Sequence, residues 1–192
     1  MAANVVFLGA PGAGKGTQAG ILQDRYGYDQ LSTGEILREN ARRGSALGKE
    51  AQRYMSRGEL VPDGLIIGMV RRTIPKHAKP MIFDGFPRTI PQAQALDEML
   101  RSLRRDVPVA VCFRIDLSEA EKRLLGRGRD DDGEATVRHR FDVFERHRQD
   151  LERYYNTISS NRFREIDASQ PVENVTRALL AILEIATPTV LP

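Results

Sequence analysis

The sequence is poor in cysteine, tryptophan and histidine: its 192 residues include one cysteine, no tryptophan and three histidines. The single cysteine, Cys112, excludes an intramolecular disulfide and a cysteine-based zinc site, and this usage fits a cytoplasmic protein. It lies in the apolar run 109–113, which predicts a buried packing residue. The histidines lack the spacing of metal ligands, so we expect no zinc site.

Long apolar runs are absent as well. No uninterrupted run approaches the roughly 20 residues that cross a bilayer, and the short apolar run near the amino terminus follows no basic region. We therefore expect no membrane partner, and we interpret the first apolar run as a strand and not as a signal peptide. No apolar helical stripe is left over for a partner chain, which favours a monomer.

The positive and negative charges nearly balance, so the net charge gives little information about binding partners. The net charge is +3, and only five of the 29 basic residues are lysine. Arginine suits bidentate recognition of phosphate, but an arginine excess can equally reflect genome composition. Because no basic tract is interleaved with aromatic residues, we expect no nucleic-acid partner. The length fits one compact domain with small insertions.

A glycine-rich stretch near the amino terminus, residues 9–17, reads GAPGAGKGT and follows the apolar run 5–8. A strand, a glycine-rich turn and a helix form the context of a phosphate-binding loop. Glycines let successive backbone N–H groups surround an anion, the helix amino terminus adds partial positive charge, and Lys15 adds a full one. Gly16 occupies the Ser/Thr position of the general pattern, and the hydroxyl of Thr17 follows. This stretch, the phosphate loop, predicts a nucleotide-phosphate site; the alternative is a turn that only joins a strand to a helix.

Five short apolar runs alternate with helix-like patterns along the chain. This alternation predicts an α/β fold in which helices cover both faces of a parallel sheet. The predicted strands are 5–8, 28–31, 81–83, 108–115 and 163–166. Because ligands of such sheets bind at the carboxyl ends of the strands, Gly9 and Asp84 are expected on the same edge.

Two segments interrupt this alternation. Helical patterns at 34–43 and 47–56 precede a break at Pro62, so we predict that residues 32–61 form a small inserted lobe and that Asp63 caps the next helix. Ser118 is the predicted N-cap of a later helix, and the last helix is predicted at 172–185. Residues 126–133 are polar and rich in glycine, which favours either a lid that folds over phosphates or an ordinary solvated turn.

A second chemical element follows the third predicted strand. The strand ends in Asp84, and a carboxylate in this position can hold Mg²⁺ through coordinated water. Arg88 follows four residues later, within reach of a phosphate that is being transferred. At the start of a helix the dipole disfavours a cation, so the placement of Arg88 indicates a functional role.

From residue 5 to about residue 183 the chain resembles the adenylate kinases. The resemblance rests on the Lys-Gly-Thr ending of the phosphate loop and on DGFPRT at 84–89, with further matches at 31–38, 58–63, 92, 123–127 and 129–132. It implies a P-loop NTPase fold, three layers α/β/α around a five-stranded parallel sheet. One domain spanning 1–192 would contain an NMP-binding lobe at 32–61 and a short lid at 126–136. The implied reaction is reversible, Mg²⁺-dependent phosphoryl transfer from ATP to AMP, giving two ADP.

The resemblance also implies a role for each matching residue. ATP would be bound by Gly12, Ala13, Gly14, Lys15, Gly16, Thr17, Arg123 and Arg127, with Gln170 near its adenine. AMP would be bound by Thr33, Arg38, Glu59, Leu60, Val61, Gly85, Phe86, Pro87, Arg88 and Gln92, the last of which pairs with the adenine edge. The catalytic charges would come from Lys15, Arg88, Arg129 and Arg140, the last two also in contact with the AMP phosphate as it receives the phosphoryl group. Asp84 would organise Mg²⁺, and Asp131 and Asp132 would position the lid.

The sequence departs from the family pattern at two places. Glu35 stands where the family commonly has aspartate, and the lid lacks the longer insertion that often carries zinc-binding cysteines. The chain therefore resembles the short-lid members, for which no structural zinc is expected. No catalytic base is expected either, because the AMP phosphate is already an anionic nucleophile. Two alternatives are open: a kinase for UMP, CMP or another nucleoside monophosphate, and a nucleotide switch or ATP-binding module without transfer chemistry.

Overall fold

The structure, a computed structural model, describes residues 3–75, 79–128, 133–158 and 162–185. Within these ranges five strands alternate with eight α-helices. The strands are β1 (Val5–Gly9), β2 (Asp29–Ser32), β3 (Met81–Asp84), β4 (Val109–Arg114) and β5 (Phe163–Asp167). The helices are α1 (Lys15–Tyr26), α2 (Thr33–Arg42), α3 (Ala46–Met55), α4 (Asp63–Thr73), α5 (Ile90–Ser102), α6 (Leu117–Arg127), α7 (Glu134–Arg153) and α8 (Val172–Ile182), and a π-helical turn, Tyr154–Ile158, continues α7.

The five strands form one parallel sheet in the order β2-β3-β1-β4-β5. The central strand β1 pairs on both sides, with Val5 opposite Ile82 of β3 and Val109 of β4. Every strand begins and ends within one residue of its predicted bounds, which confirms the predicted fold class. The chain leaves β1 and β3 toward opposite sides of the sheet, so a crevice opens where these two strands end.

Alternating side chains of β1 contribute to two hydrophobic cores, one on each face of the sheet. Val5 and Phe7 pack with Leu22 of α1 and Leu179 of α8. Val6 belongs to the other core, which includes the buried side chains of α4 and α5. Successive residues of a strand point to opposite faces, so helices on both sides are needed to bury them. The three layers predicted from the sequence are confirmed.

Residues 32–61 contain α2 and α3, two helices with side-chain caps. Ser32 Oγ accepts the Glu35 N–H at 3.4 Å, and Ser45 Oγ accepts the Gly48 N–H at 3.0 Å. The helices approach so closely at Gly48 that a Cβ there would lie 2.1 Å from the carbonyl oxygen of Asn40. The predicted helical insertion is therefore present, and its separate behaviour as a lobe stays a prediction.

Three predicted helix boundaries are wrong. Asp116 caps α6 in place of Ser118, because its carboxylate accepts the Ser118 N–H at 2.8 Å. Pro62 occupies the cap position of α4, and Asp63 is the first helical residue; its carboxylate instead accepts hydrogen bonds from side chains at the start of α5. The last helix ends at Ile182, three residues earlier than predicted.

Cys112 lies inside β4 with 1% of its surface exposed, which confirms its predicted packing role. Burial raises the pKa of its thiol to about 11. Among the residues that the structure describes, no three or more His, Cys, Asp or Glu side chains are grouped to hold a metal ion. In the same ranges, no helix is both long and apolar enough to cross a membrane.

Candidate active site

A cavity of about 1160 Å³ opens where β1 and β3 end. Its walls come from parts of the chain that are distant in sequence: the phosphate loop, the inserted segment 32–61, residues 84–92, helices α6 and α7, and the loop after β5. Gly58 lies against α7, since a Cβ at this glycine would be 2.9 Å from the carbonyl oxygen of Thr136. The cavity is at the sheet edge that the sequence predicts for a ligand site.

The phosphate loop depends on glycine where its backbone turns. Gly12 and Gly14 have φ of 85° and 84°, values that favour glycine. A Cβ on Gly12 would lie 2.4 Å from the carbonyl oxygen of Ala120 in α6, so the close packing of the loop on α6 also requires glycine here. Helix α1 begins at Lys15 without a side-chain cap. Its first N–H groups can therefore bind an anion.

Lys15 is partly buried and lies between the phosphate loop and β3. Its Nζ donates to the carbonyl oxygens of Gly9 at 2.7 Å and Ala10 at 2.8 Å. Burial lowers the pKa of Lys15 to about 8, although the carboxylate of Asp84 opposes this effect. A phosphate in the loop would raise this pKa again, because an anion nearby favours the charged form of a lysine.

Where β2 and β3 end at the cavity, one backbone carbonyl accepts hydrogen bonds from two predicted site residues. Thr33 Oγ1 and Arg88 Nε each donate to the carbonyl oxygen of Gly85 at 2.9 Å. Gly85 has a φ of 75°, and a Cβ there would lie 2.9 Å from Thr33 Oγ1. The arrangement joins the ends of β2 and β3, and Arg88 is exposed toward the cavity.

Gln92, at the start of α5, has both ends of its amide bonded within the protein. Its Oε1 accepts the backbone N–H of Arg88 at 2.8 Å, and its Nε2 donates to Asp63 Oδ1 at 2.6 Å. The other oxygen of Asp63 accepts from Thr89 Oγ1 at 2.9 Å. The sequence predicts Asp63 as a helix cap and includes it in the matching segment 58–63, and neither signal indicates this contact with α5.

The loop after β5 and the first residue of α8 line the cavity, and hydrogen bonds from several elements hold them. Arg123 Nη1 donates to the carbonyl oxygen of Ala168 at 3.1 Å. Gln170 Nε2 donates to Asp167 Oδ2 at 2.9 Å. Gln18 Nε2 donates to the carbonyl oxygen of Val172 at 3.1 Å, and the sequence alone had not indicated this buried residue of α1.

The cavity brings together nearly all the residues that the sequence predicts for the site. Those that line it are Gly12, Ala13, Gly14, Lys15, Gly16, Thr17, Thr33, Arg38, Glu59, Leu60, Val61, Asp84, Gly85, Pro87, Arg88, Gln92, Arg123, Arg127, Arg140 and Gln170. The side chain of Phe86 is not among them, since it is fully buried in the hydrophobic core. Arg129, Asp131 and Asp132, together with residue 130 of the predicted lid, lie outside the described residues.

Helix α7 contributes lining residues that the sequence did not indicate. Val143, Phe144, His147 and Leu151 face the cavity from this helix. Their spacing is that of an ordinary amphipathic helix, so the pattern predicts a core face and does not distinguish a core from a ligand wall.

Comparison with known proteins agrees with this geometry. A family model described as adenylate kinase matches residues 7–160. An adenylate kinase of Archaeoglobus fulgidus is 37% identical, with 94% of this chain and 98% of its own length aligned. Adenylate kinases of Synechococcus sp. CC9311 and Leptospira biflexa are each 40% identical, covering 95% and 92% of this chain and 100% and 97% of their own lengths. The chain therefore belongs to the adenylate kinase family.

Proposed function

We propose that this protein is an adenylate kinase that transfers the γ-phosphoryl group of MgATP to AMP and so yields two ADP. The observation that carries the proposal is a single cavity lined by both the phosphate loop with Lys15 and the acceptor segment with Arg88. Its volume of about 1160 Å³ lies above the roughly 300–1,000 Å³ of a pocket for one small ligand. Two nucleotides facing each other account for that size.

The donor nucleotide is assigned to the phosphate loop. The uncapped amino terminus of α1 and the ammonium of Lys15 supply positive charge to its phosphates. Arg123 and Arg127 line the same side of the cavity from α6, and Gln170 lies in the loop after β5, where the base would bind. Family membership and this common lining support the assignment.

The acceptor nucleotide is assigned to the other side of the cavity. Thr33 and Arg38 of α2, Arg88 and Gln92 line it, and the rest of the wall is formed by residues 59–61, Gly85 and Pro87. Arg140 enters from α7, and Arg129 is proposed to join it from the lid. The acceptor phosphate would then lie among arginines, which bind phosphate oxygens in a bidentate manner.

A magnesium ion is expected to enter with ATP. Asp84 and Thr17 both line the cavity and offer one carboxylate and one hydroxyl, which are the hard oxygen donors that Mg²⁺ prefers. Mg²⁺ retains several waters and relies on substrate phosphates for other ligands, so this sparse donor set fits an ion that arrives bound to the nucleotide. When bound, the ion neutralises charge that develops on the phosphates.

The proposed mechanism consists of positioning and charge stabilisation. Lys15, Arg88 and Arg140 place positive charge around the group in transfer, and pre-oriented charges of this kind cost no reorganisation during the reaction. No residue is assigned as a base, because the acceptor phosphate is itself the nucleophile. Closure of the lobe at 32–61 and of the short lid at 126–136 is proposed to exclude water, which would otherwise hydrolyse ATP.

A coupled assay of ADP formation from ATP tests the proposal with AMP, UMP, CMP and GMP as acceptors, with and without Mg²⁺. We expect turnover with AMP that requires Mg²⁺. Phosphorylation of UMP or CMP without AMP activity would contradict the proposal, as would ATP binding without transfer to any acceptor. We also propose that the protein acts as a cytoplasmic monomer, and sedimentation of the pure protein tests the monomer.

A further inference from the structure

The side-chain amide of Gln92 is fixed at the wall of the cavity. The backbone N–H of Arg88 donates to its Oε1 at 2.8 Å, and its Nε2 donates to Asp63 Oδ1 at 2.6 Å. Gln92 has only 2% of its surface exposed. Both ends of the amide are therefore bonded in a place where the side chain has little room to turn.

The two hydrogen-bond partners, the Arg88 N–H and the Asp63 carboxylate, determine the orientation of the amide. A backbone N–H can only donate a hydrogen bond, and a carboxylate can only accept one. Rotating the Gln92 amide by 180° would bring its Nε2 against the Arg88 N–H and its Oε1 against the Asp63 carboxylate. Both hydrogen bonds would be lost, and each unsatisfied buried group disfavours an arrangement by about tenfold to a hundredfold.

The fixed amide still has one acceptor and one donor to offer. An amide oxygen has two lone pairs and an amide nitrogen has two N–H groups, so one of each remains for a molecule in the cavity. Adenine presents a donor at its 6-amino group and an acceptor at N1, which complements this pair. Guanine and hypoxanthine present an acceptor at position 6 and a donor at N1, and they would need the rotated amide.

We propose that Asp63 is a positioning residue that makes the acceptor site prefer adenine over 6-oxopurines, because it holds the Gln92 amide in one orientation. The carboxylate is itself fixed, since its second oxygen accepts from Thr89 Oγ1 at 2.9 Å. Without Asp63, only the Arg88 N–H orients the amide. The inference rests on the proposed function, because it requires a monophosphate base beside Gln92.

The test compares kcat/KM for AMP and for inosine monophosphate at saturating MgATP. The two acceptors differ only at position 6 and in the N1 proton, so their ratio reports the amide orientation. Asp63→Ala is expected to lower the preference for AMP about tenfold or more, with a higher KM for AMP and an unchanged KM for ATP. Asp63→Asn, whose Oδ1 can still accept the Gln92 N–H, should retain most of the preference. Asp63→Leu repeats the measurement with a side chain that has the same branching and number of heavy atoms but accepts no hydrogen bond.

The matched control is Thr89→Val. It removes the other hydrogen bond of the Asp63 carboxylate and the 3.4 Å cap bond from the Gln92 backbone N–H to Thr89 Oγ1. The bond between the Asp63 and Gln92 side chains remains, so we expect lower stability with an unchanged preference for AMP. The inference is overturned if the wild type uses both acceptors equally well, if Asp63→Ala and Asp63→Leu keep the preference, or if Thr89→Val loses it equally. Failure of the proposed function is seen separately, as a wild type that does not phosphorylate AMP.

Discussion

Replacing Lys15 with methionine is expected to stabilise the protein while it abolishes turnover. Burial lowers the pKa of Lys15 from its ordinary value of 10.5 to about 8. Each unit of pKa corresponds to about 1.4 kcal/mol, so keeping this ammonium charged in the fold costs at most about 3 kcal/mol at pH 7. Lys15→Met also loses the two hydrogen bonds from Nζ to backbone carbonyls. Partial exposure of the ammonium to the cavity lowers the cost of its charge further, so the variant gains less stability than this limit. We expect Lys15→Met to raise the free energy of unfolding by about 1 to 3 kcal/mol.

The pH dependence distinguishes this cause from improved packing by methionine. Below pH 8 Lys15 is protonated in the folded and unfolded states, so the folded protein bears the full cost of the buried charge. Between about pH 8 and 10.5 the unfolded chain binds more protons than the folded one, and the wild type gains stability as the pH rises. The advantage of Lys15→Met is therefore expected to be complete at pH 7 and to shrink toward pH 10.5.

Thermal unfolding in nucleotide-free and phosphate-free buffer measures the effect, since a chain of this size gains about 2 to 4 °C in Tm per kcal/mol. Lys49, an exposed lysine of α3, provides the control, and Lys49→Met should change stability by less than about 0.5 kcal/mol. The same Lys15 variant should lose at least about a hundredfold in kcat/KM for ATP. The reasoning is refuted if Lys15→Met is less stable than the wild type at pH 7. It is also refuted if the difference in stability between the two proteins does not change with pH.

Four further substitutions test other parts of the molecule. Arg88→Ala should lower kcat at least about a hundredfold with cooperative unfolding retained, and a steady-state rate close to that of the wild type contradicts its role. Gly12→Ala places a Cβ 2.4 Å from a backbone carbonyl oxygen and should cost about 2 kcal/mol or more in urea unfolding; wild-type stability would exclude this close packing. Tyr155→Phe removes a buried hydroxyl with no hydrogen-bond partner in the described chain and should raise Tm, whereas Tyr154→Phe loses a 3.0 Å bond to Asp97 and should lower it. If calorimetry gives the same change in Tm for both tyrosine variants, the two hydroxyl groups do not differ in this way.

The sheet and the donor side could be predicted from the sequence because their signals are local. Each strand is a short apolar run between helix-like patterns. Because strands that are buried on both faces of a sheet are nearly all apolar, such a run is easily recognised. The phosphate loop needs glycines at Gly12 and Gly14 for positive φ, and Lys15 follows at fixed spacing. Asp84 ends a buried strand, so its place on the sheet edge follows from the strand alone.

The parts that could not be predicted depend on contacts between distant residues. Gln18 bonds to the carbonyl oxygen of Val172, 154 residues away, and Asp63 bonds to Gln92, 29 residues away. Neither side chain differs, in its own segment, from an ordinary helical polar residue. The cap of α6 differs from the prediction for another reason: Asp116 and Ser118 are both favourable caps. The backbone is extended at Asp116, whose carboxylate accepts the Ser118 N–H.

The two halves of the site therefore differ in what determines their selectivity. Phosphate binding at the donor half uses backbone N–H groups, a helix end and Lys15, and these groups have no means of distinguishing one base from another. In the proposed site, base selection at the acceptor half would depend on Gln92, whose amide is oriented by the backbone of Arg88 and by a carboxylate on α4. Every residue except proline supplies a backbone N–H at position 88, so this partner is insensitive to most substitutions. Of the two side chains that form the other bond, Gln92 and Asp63, only Asp63 can be replaced while the amide itself stays in place. In the proposed site, Asp63 is therefore the position at which a substitution would change the orientation of the amide.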